Sequence, residues 1–238
     1  MNVASVVVMA GGLGSRLGPL TENLPKPMLP VGGRPILEIV LGQLRREGFR
    51  DVTIATGFRS ELIREHFGDG SAFGLDLRYT VETEPLGTVG ALSLLEPGGV
   101  GPLLVINGDV LTAQPLGDVV AHHRAQAAAI TVCIVRHAQE VPFGVVTRDG
   151  GILAEIVEKP KVYVEIGAGI YVLERGMLAL IPKGRRMDFP DLVRGAQEAS
   201  AKVVCFPIQG AWKDVGRIED YRSVNEDGAL LKSLGVMA

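Results

Sequence analysis

The sequence predicts an α/β fold in three layers, a mostly parallel sheet with helices on both faces. Three observations predict it. Apolar strand-like runs alternate with helix-like segments over roughly the first 140 of 238 residues. Hydrophobic residues make up 47% of the chain, enough for a sizeable core. The first strand also runs straight into a glycine-rich stretch, at the sheet edge where such folds hold ligands.

The elements follow in order. "VASVVVMA" at 3–10 reads as a buried strand. Pro35 to Glu47 reads as a helix: Pro35 suits its first turn, Leu37, Val40, Leu41 and Leu44 share one face, and Gly48 caps its end. "DVTIAT" at 51–56 is a strand, and Glu61 to Phe67 a short helix. "LDLRYTVE" at 75–82 is an alternating strand, and Gly87 to Leu95 looks helical. "PLLVINGD" at 102–109 and "AITVCIVR" at 129–136 are strands flanking a helix at Leu116 to Gln126. After residue 140 the rhythm changes. "FGVVTRDGGILAEIVEK" at 143–159 reads as two strands joined by an Asp-Gly-Gly turn. "EIGAGIYVLE" and "KVVCFPI" are strands, Met187 to Ala199 is helical, and Arg217 to Asn225 starts a final helix. The second half is expected to form a lobe packed on the first sheet and sharing a cleft with it.

A net charge of −3 gives no global attraction to nucleic acid, so any anion site must be local. Cys133 and Cys205 both lie in apolar strand-like runs. Two buried free thiols are expected rather than a disulfide, which fits a cytoplasmic protein. Met1 leads into a strand without a basic leader, and no apolar run approaches the roughly 20 residues of a membrane span. His66, His122, His123 and His137 have no partner at metal-ligand spacing and are assigned no chemistry. Trp212 is expected in the core.

"MAGGLGSRLGPLTENLPKPMLPVGG" at 9–33 carries glycines at 11, 12, 14 and 18 and prolines at 19, 25, 27 and 30. Glycines after a strand let backbone N–H groups approach an anion closely. A dinucleotide fingerprint needs such glycines to open into a helix, which four prolines forbid. No Gly-Lys-Ser/Thr of a P-loop occurs. The stretch is therefore a long, proline-stiffened loop without regular structure that holds Arg16 and Lys26 over the sheet edge. Two cations on such a loop point to phosphate.

At this point the sequence resembles the sugar nucleotidyltransferases, also called nucleotide-sugar pyrophosphorylases. The resemblance rests on the Gly-Gly-x-Gly-x-Arg-Leu loop followed by Pro-Lys-Pro. It extends, in order, through "EPLGTVGAL" (84–92), "INGD" (106–109), "FGVV" (143–146), "EKP" (158–160), "GAGIYVLE" (167–174) and "WKDVG" (212–216). It implies a Rossmann-like, GT-A-like nucleotide-binding sheet with an added sugar-binding lobe. The whole chain, 1–238, would be one catalytic domain, with 1–140 mainly on the nucleotide and 141–238 mainly on the sugar phosphate. It further implies that Ala10, Gly11, Gly12, Gly14, Ser15, Arg16, Lys26, Glu84, Pro85, Gly87, Thr88, Asn107 and Asp109 bind nucleotide. Gly144, Glu158, Lys159 and Gly169 would bind the sugar phosphate, and Asp109 and Asp214 would hold Mg²⁺. Relatives often have Asn where this chain has Gly167, which loosens the implied sugar identity.

The chemistry needs these residue types. A nucleotidyl transfer brings two phosphate groups together, so positioning and charge neutralisation do most of the catalysis. Arg16 and Lys26 can serve the triphosphate and Lys159 the sugar phosphate, while Mg²⁺ prefers few carboxylates plus phosphate oxygens and water. Each has a plainer rival: Asp109 capping a turn, Asp214 pairing with Lys213, or Glu158 and Lys159 as an exposed pair. Three functions are weighed: sugar-1-phosphate nucleotidyltransferase, glycosyltransferase, and non-catalytic nucleotide-sugar binder. The second would want Asp-x-Asp where this chain has Asn107-Gly108-Asp109, and the third predicts loss of the site charges, which are present. The segment at 82–92 resembles the guanylyl form, as in mannose-1-phosphate and heptose-1-phosphate enzymes. A carboxylate at Glu82 or Glu84 can accept from guanine N1–H and its 2-amino group. GTP with a manno-configured hexose or heptose 1-phosphate is expected. UTP or dTTP with a gluco-configured or MurNAc-type sugar 1-phosphate is the alternative. No nucleic-acid or membrane partner is expected, and a homo-oligomer is open.

Overall fold

The structure, a computed structural model, describes residues 5–96 and 98–236. Strand β1 spans Ser5–Ala10; the start of the expected strand, residues 3–4, lies outside the described residues. A two-residue ladder of β2 (Pro30–Val31) and β3 (Arg34–Pro35) leads into α1 (Ile36–Arg46). There follow β4 (Asp51–Thr56), α2 (Ser60–Phe67), β5 (Asp76–Val81), β6 (Leu103–Asn107), β7 (Val110–Thr112) and α3 (Leu116–Ala125). Then come β8 (Ile130–Glu140), the β9 (Gly144–Asp149) and β10 (Ile152–Glu158) hairpin, and β11 (Lys161–Leu173). The chain closes with α4 (Phe189–Glu198), β12 (Val203–Pro207), β13 (Trp212–Asp214), α5 (Ile218–Glu226) and α6 (Gly228–Ser233).

Seven strands form the central sheet in the order β12-β8-β11-β6-β1-β4-β5. The β1–β4, β1–β6, β4–β5 and β8–β12 pairs are parallel, and β11 alone runs antiparallel to both its neighbours. The mostly parallel sheet read from the sequence is therefore present. Strand alternation sets the layers: Val6, Val8 and Ala10 join a core with α1, α2 and α3, while Val7 faces a second core with α4. In α1 the four expected residues are buried together with Ile36 and Ile39, each worth roughly 1.5–3 kcal/mol against exposure. Gly48, at φ +88°, stops the helix and donates its N–H to the Arg45 carbonyl at 3.1 Å. In the second core Tyr171 stacks on Phe189 with ring centroids 3.6 Å apart, and burial pushes its phenol up to about 12.

Several expectations need correction. The second half is not a lobe laid on a finished sheet, because β11 inserts between β8 and β6, while the β9–β10 hairpin forms a small sheet of its own. The stretch 87–95 is no regular helix but a 3₁₀ turn at Gly90–Leu94. Its leading N–H groups bond across the chain instead, Thr88 to Asp188 Oδ1 at 3.0 Å and Val89 to the Met187 carbonyl at 3.2 Å. The loop at 11–30 holds 3₁₀ turns at Ser15–Thr21, kinked at Gly18, and at Lys26–Met28. Helix α5 is not the last, since α6 follows. Cys133 is buried and its thiol pushed up to about 12, but Cys205 is exposed on the edge strand β12, which has a neighbour on one side only.

Candidate active site

The C-terminal ends of β1 and β6, with the segment that follows β5, converge on a cavity of about 330 Å³. One wall is the glycine-rich loop, with Gly11, Gly12, Leu13 and Arg16; opposite are Glu82, Pro85, Gly87 and Thr88, and the floor is Asn107, Gly108 and Asp109. Two contacts hold the strand ends in place: the Gly108 N–H donates to the Met9 carbonyl at 2.8 Å, and a Cβ on Gly57 would come within 2.8 Å of the Gly11 carbonyl. Both are backbone approaches that leave little room for a side chain.

Lys26 is the centre of charge. The 3₁₀ turn after Pro25 aims it inward, its stem packs beside Gly14, and only 9% of its side chain is exposed. Its ammonium pairs with Asp109 Oδ2 and lies 3.9 Å from Asp214 Oδ1. The two aspartates are distant in sequence but adjacent in space. In the β7–β13 ladder Asp214 faces Val110, and the Val215 N–H bonds to the Asp109 carbonyl at 3.0 Å. Burial and the neighbouring Asp109 charge push the Asp214 carboxyl up, while Lys26 and Arg16 oppose the shift. Asp109 Oδ1 and Asp214 Oδ1 are buried without a hydrogen-bond partner among the described residues. Unsatisfied carboxylate oxygens are costly, and these two are free to accept from a further donor or cation. Among the described residues no three His, Cys, Asp or Glu side chains cluster as a metal site. Two carboxylates nonetheless suit Mg²⁺, which takes its remaining ligands from phosphate and water.

The structure thus brings together Ala10, Gly11, Gly12, Arg16, Lys26, Pro85, Gly87, Thr88, Asn107, Asp109 and Asp214 around one cavity. Gly14, Ser15 and Glu84 do not line it. Gly14, at φ +66°, instead supports the loop from behind, its carbonyl accepting the Thr21 hydroxyl at 3.1 Å. Gly169 packs behind the floor, where a Cβ would stand 2.7 Å from Asn107 Nδ2. A register shift in β11 between Gly167 and Tyr171 puts it there, and Trp212, half-buried against the core, donates Nε1–H to the Ala168 carbonyl at 2.9 Å. Gly144, Glu158 and Lys159 lie exposed on the hairpin, away from this cavity. Of Glu82 and Glu84, it is Glu82 that lines the cavity. It is half-buried against Gly11, accepts the Leu86 N–H at 2.9 Å, and is pushed up by burial. Glu82 directly follows β5 and its N–H donates to the Thr56 carbonyl at 2.8 Å, whereas Glu84 lies further along the loop; alternation gives both the same face, so only the end of the strand pairing separates them.

A larger cavity, about 500 Å³, opens at the other end of the sheet near Ser5, Asp51 and Leu103. Its two arginines are engaged, Arg78 with Asp51 and Arg175 with the Gly101 carbonyl and Ser5 Oγ. The buried carboxylate oxygens without a hydrogen-bond partner among the described residues, Asp109 Oδ1 and Asp214 Oδ1, belong to the first cavity instead.

Comparison with known proteins gives the family. The chain is 35% identical over 229 residues to a mannose-1-phosphate guanylyltransferase of Mycobacterium tuberculosis, covering 90% of this chain and 62% of that one. It is 32% identical over 230 residues to a mannose-1-phosphate guanyltransferase of Saccharomyces cerevisiae, covering 91% and 62%. The chain therefore spans under two thirds of these relatives' length. A solved Bacillus anthracis structure, described as a glucose-1-phosphate thymidylyltransferase in complex with a sucrose, superposes with a TM-score of 0.74 at 26% identity over 94% of both chains. The structure of HddC from Yersinia pseudotuberculosis, 23% identical and with a TM-score of 0.74 over 94% of this chain and 99% of that one, shares the fold. The family model described as nucleotidyl transferase matches residues 5–229, from the first strand through the glycine-rich loop and both aspartates, and the chain belongs to that family.

Proposed function

We propose that this protein transfers a guanylyl group from GTP to a manno-configured hexose or heptose 1-phosphate, releasing pyrophosphate. The observation that carries the reading is Lys26 between Asp109 and Asp214 at the foot of a cavity walled by the glycine-rich loop. The names of the relatives support the base and the sugar.

Each residue has a role that follows from its chemistry. Backbone N–H groups of Gly11 and Gly12 approach the triphosphate, since no Cβ stands in the way at these positions. Arg16 and Lys26 neutralise its charge and favour departure of pyrophosphate. Asp109 and Asp214 would hold Mg²⁺, which would supply positive charge to offset that of the phosphates. Glu82 accepts from the two adjacent donors of guanine, whereas uracil and thymine present one donor between two acceptors. Lys159 binds the sugar phosphate, Glu158 the sugar hydroxyls, and Gly144 leaves room for the ring. These three sit on the hairpin, so productive binding draws it over the cavity. On this reading 1–140 serve mainly the nucleotide and 141–238 mainly the sugar phosphate. A cytoplasmic setting fits two free thiols.

A matrix of nucleoside triphosphates against sugar 1-phosphates, read as pyrophosphate release, tests the proposal. GTP with the manno-configured partner is expected to lead, and Glu82→Gln to narrow its margin over UTP. Asp109→Asn and Asp214→Asn should lower kcat by orders of magnitude, and Lys159→Ala should mainly raise KM for the sugar phosphate. UTP or dTTP turning over at least tenfold faster than GTP overturns the base assignment. No pyrophosphate from any pairing overturns the reaction.

A further inference from the structure

Helix α4 begins at Phe189, and Asp188 stands at its N-cap in an extended conformation, with φ −100° and ψ 156°. An aspartate there ordinarily accepts from the first N–H groups of its own helix. Asp188 makes no such bond. Its Oδ1 instead accepts the Thr88 N–H at 3.0 Å, from a residue 100 positions earlier in the chain. In return Thr88 Oγ1 accepts the Phe189 N–H at 2.7 Å, one of the donors a helix start leaves open. Each segment caps the other.

The backbone continues the exchange. The Leu86 carbonyl accepts the Met187 N–H at 2.9 Å, and the Met187 carbonyl accepts from Val89 at 3.2 Å and Gly90 at 3.3 Å. The N–H groups of Thr88, Val89 and Gly90 therefore all end on residues 187 and 188, while that of Leu86 ends on Glu82. The fit leaves no slack: a Cβ on Gly87 would stand 2.7 Å from Asp188 Oδ1, and one on Gly90 2.7 Å from the Arg185 carbonyl. Pro85, Gly87 and Thr88 line the cavity, whereas Met187 and Asp188 do not. Asp188 reaches the cavity only through the wall it holds.

That wall is a loop fastened to a packed helix. Phe189, Leu192 and Ala196 of α4 are buried in the second core. A loop held in place before its ligand arrives loses less conformational freedom on binding, and a recognition wall is only as precise as the residues that support it. We propose that Asp188 is a positioning residue for the nucleotide base, fixing the 85–88 wall through its bond to Thr88, a role that rests on this cavity being the nucleotide site.

The test separates positioning from plain stabilisation. Asp188→Ala is expected to raise KM and Kd for GTP about tenfold, and to narrow the margin over UTP. KM for the sugar phosphate should stay within about twofold of the parent. Asp188 Oδ2 faces Arg186 Nη2 at 3.6 Å and the side chain is 40% exposed, so Asp188→Asn keeps an oxygen for the Thr88 N–H. That variant should bring the GTP values back to within about threefold of the parent. An Asp188→Ala protein that loses Tm but keeps both KM values overturns the role, as does an asparagine variant no better than the alanine. Hydrogen exchange on the unaltered, nucleotide-free protein needs no variant. Amides of 86–90 should already exchange slowly, and GTP should change them little. Amides that exchange freely until GTP is added mean that the ligand orders the wall, which overturns the proposal. A parent protein that takes up no nucleoside triphosphate overturns the nucleotide reading and the role with it; a parent that binds GTP no better than Asp188→Ala overturns the role alone.

Discussion

Two glycines at the cavity look alike in sequence and differ in what they do. At Gly12 a Cβ would meet nothing within 4 Å, so the position is open towards the cavity. At Gly87 φ is +79° and a Cβ would fall 2.6 Å from the Met187 carbonyl. Gly87→Ala is therefore expected to cost about 2 kcal/mol or more, from left-handed backbone strain and displacement of the 187–188 segment. Gly12→Ala should change stability by less than about 0.5 kcal/mol while weakening triphosphate binding. Urea unfolding of both variants, beside nucleotide titration, checks the split; a Gly87→Ala protein as stable as its parent would remove the packing role. The same contrast separates Glu82 from Glu84. Both are carboxylates near Pro85, and only the position of the β5 end relative to the loop selects between them.

Among the elements, α3 is fastened to the sheet by a buried histidine. His123 Nδ1 lies 2.9 Å from Thr131 Oγ1 on β8, and Nε2 lies 3.3 Å from Glu174 Oε1 just past β11. Burial lowers its pKa, with Glu174 opposing. A histidine with a depressed folded pKa stabilises the fold above its unfolded pKa of about 6.5, and that contribution is lost as pH falls through the folded value. Tm should therefore drop on acidification below about pH 6.5, and His123→Asn should flatten that part of the profile by removing the titrating group. A profile that His123→Asn leaves unchanged would show that folding does not shift this imidazole's pKa. His123 was given no metal or catalytic role from the sequence; its role is a three-element tie that spacing along the chain could not reveal, because Thr131 and Glu174 meet it only through the sheet.

For the whole molecule, the proposed nucleotide binding is linked to folding, because the cavity exists only where the ends of β1 and β6 meet the segment after β5. A ligand at a hundred times its Kd stabilises by about 2.7 kcal/mol. At roughly 2–4 °C per kcal/mol for a domain of this size, GTP with Mg²⁺ should raise Tm by about 5–10 °C. UTP at the same concentration should raise it less, and Asp109→Asn should diminish the GTP effect. A larger rise with UTP would count against guanine recognition without touching the fold.

Amphipathic spacing, turn glycines and apolar runs determined the layered, mostly parallel sheet. Those signals are local, and each run buries its own face: α1 reads correctly because Leu37, Val40, Leu41 and Leu44 lie on one side of any helix they form. The glycine-rich loop with Arg16 and Lys26 was legible for the same reason. Tertiary structure alone decided what depends on strands far apart in sequence. It inserted β11 antiparallel between β8 and β6, and shortened the helix expected at 87–95, because backbone donors at 88–90 found better partners near Met187. It also exposed Cys205 on an edge strand. And it set the Lys26 ammonium against Asp109 and Asp214, for a β7–β13 ladder is what carries residue 214 across to residue 109, and no pattern within either segment specifies that pairing.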